Sequence, residues 1–276
     1  MKQREFTTAG IGGFDLHAQA WVPDAAPKAV IALAHGLGEH SGRYGHVAAR
    51  LVSSGYAVYA VDHRGHGRSP GPRANIERFD HVVSDFCAFA GRAVRQHPGA
   101  DLFLFGHSMG GAIAFASALR LQGNLRGLAL SAAALSLEDE VPAWQHAAAR
   151  LLAAVAPNVG VLRLETAAVS RDPQVVREYE NDPLVHHGSI PARTAVELLG
   201  ATRGFPQLAA RLVLPVLVMH GTADRLVPLG PVRGVHQAIA SKDRTLRYYE
   251  GLYHELCNEP ERDAVLTDLV RWLDAH

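Results

Sequence analysis

The chain has 276 residues, of which 48% are hydrophobic and 20% charged, enough apolar material for one large globular domain or two small ones. Its 27 basic and 27 acidic residues cancel, so the bulk charge argues against a nucleic-acid partner. With two cysteines, no secretory leader and no run of about 18 apolar residues, the sequence predicts a cytoplasmic protein without a disulfide framework or a transmembrane segment.

The first two predicted strands are Glu5–Thr8 and Phe14–Val22. Glycines separate them, which indicates an antiparallel hairpin at one edge of a sheet. Branched and aromatic runs without alternation then predict strands that are buried on both faces. These runs are Val30–Ala34, Ala57–Val61, Leu102–Phe105, Leu128–Leu130 and Val216–Met219. The more polar run Thr245–Tyr249 suits the far edge of the sheet.

Helical patterns alternate with these strands and predict a doubly wound α/β sheet with helices on both faces. The helical patterns are His46–Ser54, Phe79–Gln96, Gly111–Gln122, Val235–Ala240 and Arg262–Ala275. From Ser136 to Pro206 no strand is predicted, but Trp144–Val155 and Thr194–Leu199 have helical patterns. We therefore expect a core of residues 1–135 and 207–276, and an insertion at 136–206 over one end of the sheet.

The sequence Gly106-His107-Ser108-Met109-Gly110 matches the pattern G-x-S-x-G between a predicted strand and a predicted helix. In that context the serine stands on a sharp, strained turn and is exposed for nucleophilic attack. The structural alternative is a tight turn of small residues. The strand before the motif and the helix after it favour the nucleophile.

A serine nucleophile needs a base and an acid that orients the base, in the chain order serine, acid, histidine. His254 alone among the later histidines follows the last predicted strand and precedes the last helix. The less suitable histidines are His146, His186, His187, His220, His236 and His276. Asp224, just after the strand Val216–Met219, is the predicted acid. Asp172 and Asp182 lie in the insertion, and Asp62 precedes the serine.

Two backbone N–H groups are expected to stabilise the oxyanion. Met109 follows the nucleophile and supplies one of them. Leu37 lies between Gly36 and Gly38 in the loop after Val30–Ala34, and it supplies the other.

Six segments together resemble the monoacylglycerol lipases of the α/β-hydrolase fold, especially the bacterial members. The segments are HGLGEHSGRY (35–44), VDHRGHGRSPGPR (61–73), GHSMGG (106–111), NDPL (181–184), HGTADRLVP (220–228) and YHELCNEP (253–260). The resemblance implies hydrolysis of one fatty-acyl ester of glycerol through an acyl-serine, without a metal or an organic cofactor. It also implies that the insertion is a helical cap that lines an acyl tunnel. A lysophospholipase or a broad carboxylesterase is the alternative, and a non-catalytic binding protein of this fold would usually lack part of the triad.

The resemblance makes Glu39, Arg43 and Tyr179 candidates for the pocket that binds the glycerol head group. From the residues alone, a solvated Glu39–Arg43 ion pair and a packing role for Tyr179 stay open. Cys257 stands where some members of the family have a histidine that lines this pocket, which suggests a thiol beside the site.

Two further segments have competing interpretations. DHRGHGRS (62–69) is predicted to be a structural loop in which Asp62 and Arg64 make internal hydrogen bonds, rather than a phosphate or metal site. The apolar cap stretch at 143–162 is expected to line the tunnel, and the alternative is peripheral contact with a lipid membrane. The sequence does not indicate an oligomeric state.

Overall fold

A computed structural model describes residues 1–137 and 150–276. In this part of the chain the strands are β1 (Lys2–Ala9), β2 (Asp15–Val22), β3 (Ala29–Ala34), β4 (Ala57–Val61), β5 (Asp101–His107), β6 (Gly127–Ser131), β7 (Gly160–Leu162), β8 (Ile190–Pro191), β9 (Val216–Gly221) and β10 (Arg244–Tyr249). The α-helices are α1 (Gly45–Ser53), α2 (Phe79–Arg95), α3 (Met109–Leu121), α4 (described at 150–155), α5 (Pro173–Asn181), α6 (Ala192–Arg203), α7 (Phe205–Ala209), α8 (Leu229–Ala238) and α9 (Arg262–Ala275).

The central sheet has eight strands in the order β1-β2-β4-β3-β5-β6-β9-β10. Strand β2 pairs antiparallel with both β1 and β4, and the remaining pairs are parallel. The predicted hairpin is therefore confirmed at one edge, and the polar strand β10 forms the other. The prediction of a mostly parallel α/β sheet is also confirmed.

Apolar side chains cover both faces of the sheet because the strand residues alternate between two core layers. Along β3, Val30, Ala32 and Ala34 face one layer, which includes residues of α2, α3 and α8. Ile31 and Leu33 face the other layer, with residues of α1 and α9. Helices on both faces bury the parallel strands inside the sheet, which explains the continuous hydrophobic sequences of β3, β4, β6 and β9.

Between β6 and β9 the chain leaves the central sheet. The expectation that 136–206 contains no strand is wrong, because β7 and β8 form a two-stranded antiparallel sheet there. Strands of two and three residues are too short to show the two-residue alternation that predicts a strand. The predicted helix Trp144–Val155 lies partly outside the described residues, and its described end at 150–155 is helical.

The carboxyl ends of β3, β5, β9 and β10 lie at the same edge of the sheet because these strands are parallel. Loops that follow these strands meet there, as is usual for binding sites in open α/β sheets. Within the described residues, no helix combines the length and the hydrophobicity needed to cross a membrane.

Candidate active site

Ser108 lies on a sharp turn between β5 and α3, with φ 54° and ψ −122°. This backbone conformation is strained for a residue other than glycine and lifts the serine away from the regular elements on either side. The neighbouring glycines are required by space: a Cβ on Gly106 would lie 2.3 Å from the Gly110 carbonyl oxygen, and a Cβ on Gly110 would lie 2.1 Å from that of Ala34. The turn therefore has the geometry expected from the motif.

The structure brings Ser108, His254 and Asp224 into one hydrogen-bonded chain. His254 Nε2 lies 2.9 Å from Ser108 Oγ, and its Nδ1 lies 2.8 Å from Asp224 Oδ2. The other oxygen, Asp224 Oδ1, accepts the backbone N–H groups of Leu226 and Val227 at 2.8 and 3.0 Å. Burial alone would raise the pKa of Asp224, but the hydrogen bond with His254, its charge, the Val227 amide and His220 together outweigh burial and lower the pKa.

The other described acids and histidines near this centre have different partners. Asp172 caps α5 by accepting the Gln174 amide, and Asp182 pairs with His40. His107 contacts the Ser131 carbonyl through Nδ1, while its ring centroid lies 4.8 Å from that of His254. Burial lowers the pKa of His107 to about 4, so its ring is neutral at physiological pH.

His220 lies directly behind the acid. Its Nε2 is 2.9 Å from the Val227 carbonyl oxygen and 3.5 Å from Asp224 Oδ2. The side chain is fully buried, and burial lowers its pKa. His220 thus contacts both the Asp224 carboxylate and the Val227 carbonyl of the turn that holds the acid.

Leu37 and Met109 line the same cavity as Ser108. Met109 is the first residue of α3, so its N–H has no acceptor within the helix. The loop that contains Leu37 is held on both sides: Glu39 Oε1 accepts the Gly36 amide at 2.6 Å, and the Gly38 carbonyl accepts the His186 amide at 2.7 Å. These contacts fix the loop beside the serine.

The cavity that reaches Ser108 has a volume of about 280 Å³. Its apolar wall includes six side chains from the segment between β6 and β9, namely Leu162, Leu164, Val169, Ile190, Leu198 and Leu199. Glu39, Tyr179 and Glu255 also line it. The cavity is therefore suited to a ligand with a long apolar part and a small polar part.

The polar lining is a buried ion cluster, so the solvated ion pair considered from the sequence is wrong. Arg43 Nη1 donates to Glu39 Oε2 at 2.8 Å, and the side chains of Glu39 and Arg43 are 5% and 11% exposed. Burial alone would raise the pKa of Glu39, but the Arg43 charge contributes most to lowering it to about 2. The Tyr179 ring packs 4.7 Å from the Arg43 guanidinium, so Tyr179 has a packing contact as well as a place in the cavity wall.

Glu255, which was not predicted from the sequence, completes this ion cluster. Arg43 donates to both of its oxygens, at 2.6 and 2.8 Å, and the Asn258 side chain donates to Glu255 Oε2 at 2.8 Å. The available signal was its position directly after the predicted base. Its partner Arg43 is 212 positions earlier, so no local pattern joins the two.

Cys257 lies in the core layer that includes α1 and α9, with 7% of its surface exposed. Its carbonyl oxygen lies 2.8 Å from His46 Nε2. Burial raises the pKa of the thiol to about 12, so little reactive thiolate exists at neutral pH. The thiol that the sequence suggests beside the site is therefore buried and poorly reactive.

The structural interpretation of the loop at 62–69 is confirmed. Asp62 Oδ1 accepts the Ser41 amide at 2.8 Å and the Ser41 hydroxyl at 2.5 Å. Arg64 donates to Asp85 Oδ2 through Nε and Nη2, at 2.8 and 2.6 Å. Both charged residues are thus occupied by partners inside the protein.

The sheet is mostly parallel, the serine lies on a strand-to-helix turn, and the acid and the histidine follow it in that order along the chain. These features together define an α/β-hydrolase. The family model described as serine aminopeptidase, S33, matches residues 25–261. The monoacylglycerol lipase of Mycolicibacterium smegmatis is 44% identical over 272 residues, which cover 99% of this chain and 97% of that protein. Human monoglyceride lipase is 34% identical, over 94% of this chain and 86% of that protein.

The crystal structure of a monoacylglycerol lipase from Paleococcus ferrophilus superposes with a TM-score of 0.83 and 31% identity. The match covers 95% of this chain and 99% of that one. The chain belongs to the monoacylglycerol lipase family of the α/β-hydrolases.

Proposed function

We propose that the protein is a serine esterase that hydrolyses monoacylglycerols to a fatty acid and glycerol. The observation that carries this proposal is the 2.9 Å contact between His254 Nε2 and Ser108 Oγ beside a cavity with apolar walls and a polar end. The relatives named as monoacylglycerol and monoglyceride lipases support the same substrate.

In the proposed reaction, His254 Nε2 takes the proton of Ser108 as the serine oxygen attacks the ester carbonyl carbon. Asp224 keeps the proton of His254 on Nδ1 and stabilises the imidazolium that forms. The tetrahedral intermediate collapses, the bond to the glycerol oxygen breaks, and His254 returns the proton to that oxygen. A water molecule then attacks the acyl-serine by the same route and releases the fatty acid.

The backbone N–H groups of Leu37 and Met109 stabilise the oxyanion in this proposal. Both residues line the cavity beside Ser108, and the Leu37 loop is fixed by Glu39 and His186 before substrate arrives. Fixed donors stabilise developing charge without reorganising during the reaction, and losing one costs about 2.7–4 kcal/mol in known cases.

The acyl chain occupies the apolar part of the cavity, and Glu39, Arg43 and Tyr179 form the glycerol end. Residues 136–206 act as a cap on the core of residues 1–135 and 207–276, because this segment supplies much of the apolar wall.

The cap also carries exposed apolar side chains at Leu151, Val155, Val159, Val161 and Leu162. These side chains support peripheral contact with a lipid membrane, from which single-chain lipids could enter.

The experiment that tests this function compares substrates that share one acyl chain. We expect the wild-type protein to hydrolyse a monoacylglycerol faster than a diacylglycerol or a lysophospholipid. Similar rates on all of them would overturn the narrow specificity and favour the broad carboxylesterase, and faster turnover of the lysophospholipid would favour a lysophospholipase.

A further inference from the structure

Glu39 and Glu255 both line the cavity, and each carboxylate keeps an unused hydrogen-bond acceptor on the oxygen that binds Arg43 Nη1. Both carboxylates bind the same nitrogen, Arg43 Nη1, at 2.8 and 2.6 Å. The other oxygen of Glu39 accepts from Gly36 N and Tyr44 Oη, and the other oxygen of Glu255 accepts from Arg43 Nη2 and Asn258 Nδ2. Since a carboxylate oxygen has two acceptor positions, Glu39 Oε2 and Glu255 Oε1 each keep one.

The cluster has an excess of negative charge because two carboxylates share one guanidinium. Both carboxylates are buried, with the side chains of Glu39 and Glu255 5% and 6% exposed, so solvent screens this excess weakly. Arg43 in turn uses both protons of Nη1 and one of Nη2 on the two carboxylates. Three of the five N–H donors of Arg43 are therefore already bound within the cluster.

A monoacylglycerol has two free hydroxyls that can donate to two neighbouring acceptors. A phosphate in the same place would set its negative charge and its acceptor oxygens against these two carboxylates. The like charges would repel strongly because the buried site is poorly screened. We propose that Glu255, together with Glu39, selects lipids with an uncharged polyol head group and rejects those that carry a phosphate, an inference that rests on the proposed function of the site. Glu255 is thus a specificity-determining residue that follows the base directly in the chain.

The test compares wild type with Glu255→Gln, which removes the charge and keeps the size of the side chain. The substrates are a monoacylglycerol, a lysophosphatidylglycerol and a p-nitrophenyl ester with the same acyl chain. We expect the ratio of kcat/KM for the lysophosphatidylglycerol to that for the monoacylglycerol to rise about tenfold, equivalent to about 1.4 kcal/mol. Where turnover of the lysophosphatidylglycerol is too slow, its inhibition constant replaces kcat/KM.

The matched control is Glu259→Gln, because Glu259 is another buried carboxylate of this loop that pairs with an arginine, Arg171. The control should leave the ratio unchanged. Hydrolysis of the p-nitrophenyl ester, which has no glycerol head group, measures how far Glu255→Gln disturbs the position of the loops, and the ratio of the two lipids should change beyond that general loss. An unchanged ratio, or an equal fall on all three substrates, would overturn the inference and leave Glu255 a structural role only.

A second experiment uses the wild-type protein alone and measures its inhibition. Wild type should be inhibited about tenfold more tightly by a 1-alkylglycerol ether than by the same ether with a 3-phosphate, and equal inhibition would overturn the inference. Failure of the proposed function would look different: the wild-type protein would hydrolyse the p-nitrophenyl ester but not the monoacylglycerol.

Discussion

Arg43 and Glu255 are 212 positions apart in the chain, and the guanidinium donates to both carboxylate oxygens at 2.6 and 2.8 Å. Because Arg43 also binds Glu39, this contact joins the loop after β3 to the loop that carries His254. In the proposed mechanism, both loops act on one ester carbonyl, so their relative position must be fixed before substrate binds. The ion cluster meets that requirement and also forms the polar end of the cavity.

The low pKa of Glu39 predicts an acid-dependent loss of stability. Burial raises the pKa of this carboxyl, but its neighbours, Arg43 most of all, lower it from the ordinary 4.5 to about 2 in the folded protein. The unfolded chain therefore binds more protons between these values, and the stabilisation present above pH 4.5 is lost as the pH falls towards 2. The full effect is about 3 kcal/mol. We expect denaturant titrations from pH 7 to pH 3.5 to show a smaller loss of unfolding free energy in Glu39→Gln than in wild type.

The exposed acid Glu178 provides the control for this pH series, and Glu178→Gln should follow the wild-type profile. Parallel profiles for Glu39→Gln and wild type would show that the Glu39 carboxylate does not stabilise the fold through its charge.

Gly110→Ala should destabilise the turn that carries the serine. The added Cβ would lie 2.1 Å from the Ala34 carbonyl oxygen, so β3 or α3 must shift. We expect the free energy of unfolding to fall by about 1–3 kcal/mol and the esterase activity to fall with it. Gly230→Ala is the control, because its added Cβ has no heavy atom within 4 Å apart from its chain neighbours and the backbone of its own helix. If Gly110→Ala melts at the wild-type temperature, the close packing at this turn is not required.

Asp224→Asn should lower kcat without unfolding the protein. The amide can keep the contact with His254, but it favours the wrong tautomer of the ring and cannot stabilise the imidazolium, an effect of about 10⁴-fold on kcat in a comparable triad. Steady-state kinetics with a monoacylglycerol measure it. Asp172→Asn, at a helix cap where asparagine is also a good residue, should keep wild-type kcat. Near-normal turnover by Asp224→Asn would remove this acid from the mechanism.

Val155→Asp should weaken binding to phospholipid vesicles. Val155 is 73% exposed on the cap, and transferring such a side chain into lipid contributes about 1.5 kcal/mol, or about tenfold in affinity. Vesicle sedimentation measures the bound fraction. Val213→Asp is the matched control, since Val213 is 66% exposed but precedes β9, at the end of the sheet away from Ser108. Equal binding of both variants would contradict membrane contact through the cap.

The strands and the order of serine, acid and histidine could be predicted because each leaves a local signal. Buried parallel strands are continuous apolar runs, and the glycines around Ser108 mark the turn. Local sequence also explains why the predicted beginnings of two helices were wrong. Helix α3 begins at Met109 rather than Gly111, and α8 at Leu229 rather than Val235, because glycine and proline in these first turns oppose a helical prediction.

The polar end of the cavity could be predicted only in part. Glu39 and Arg43 are four positions apart, so the sequence indicates that they can pair. Their buried cluster also includes Glu255, which is distant in the sequence. Long-range charge clusters leave no periodic pattern, and neither do strands as short as β7 and β8. These parts of the site needed the three-dimensional structure.

The most direct test of the central claim is the site of covalent labelling by a fluorophosphonate, followed by the activity of Ser108→Ala on a monoacylglycerol. We predict one label per chain on the peptide that contains Ser108, and loss of turnover by about 10³-fold or more in a variant that melts with wild-type cooperativity. Label on another residue, or appreciable hydrolysis of the monoacylglycerol by Ser108→Ala, would contradict the proposal that Ser108 is the nucleophile of a monoacylglycerol lipase.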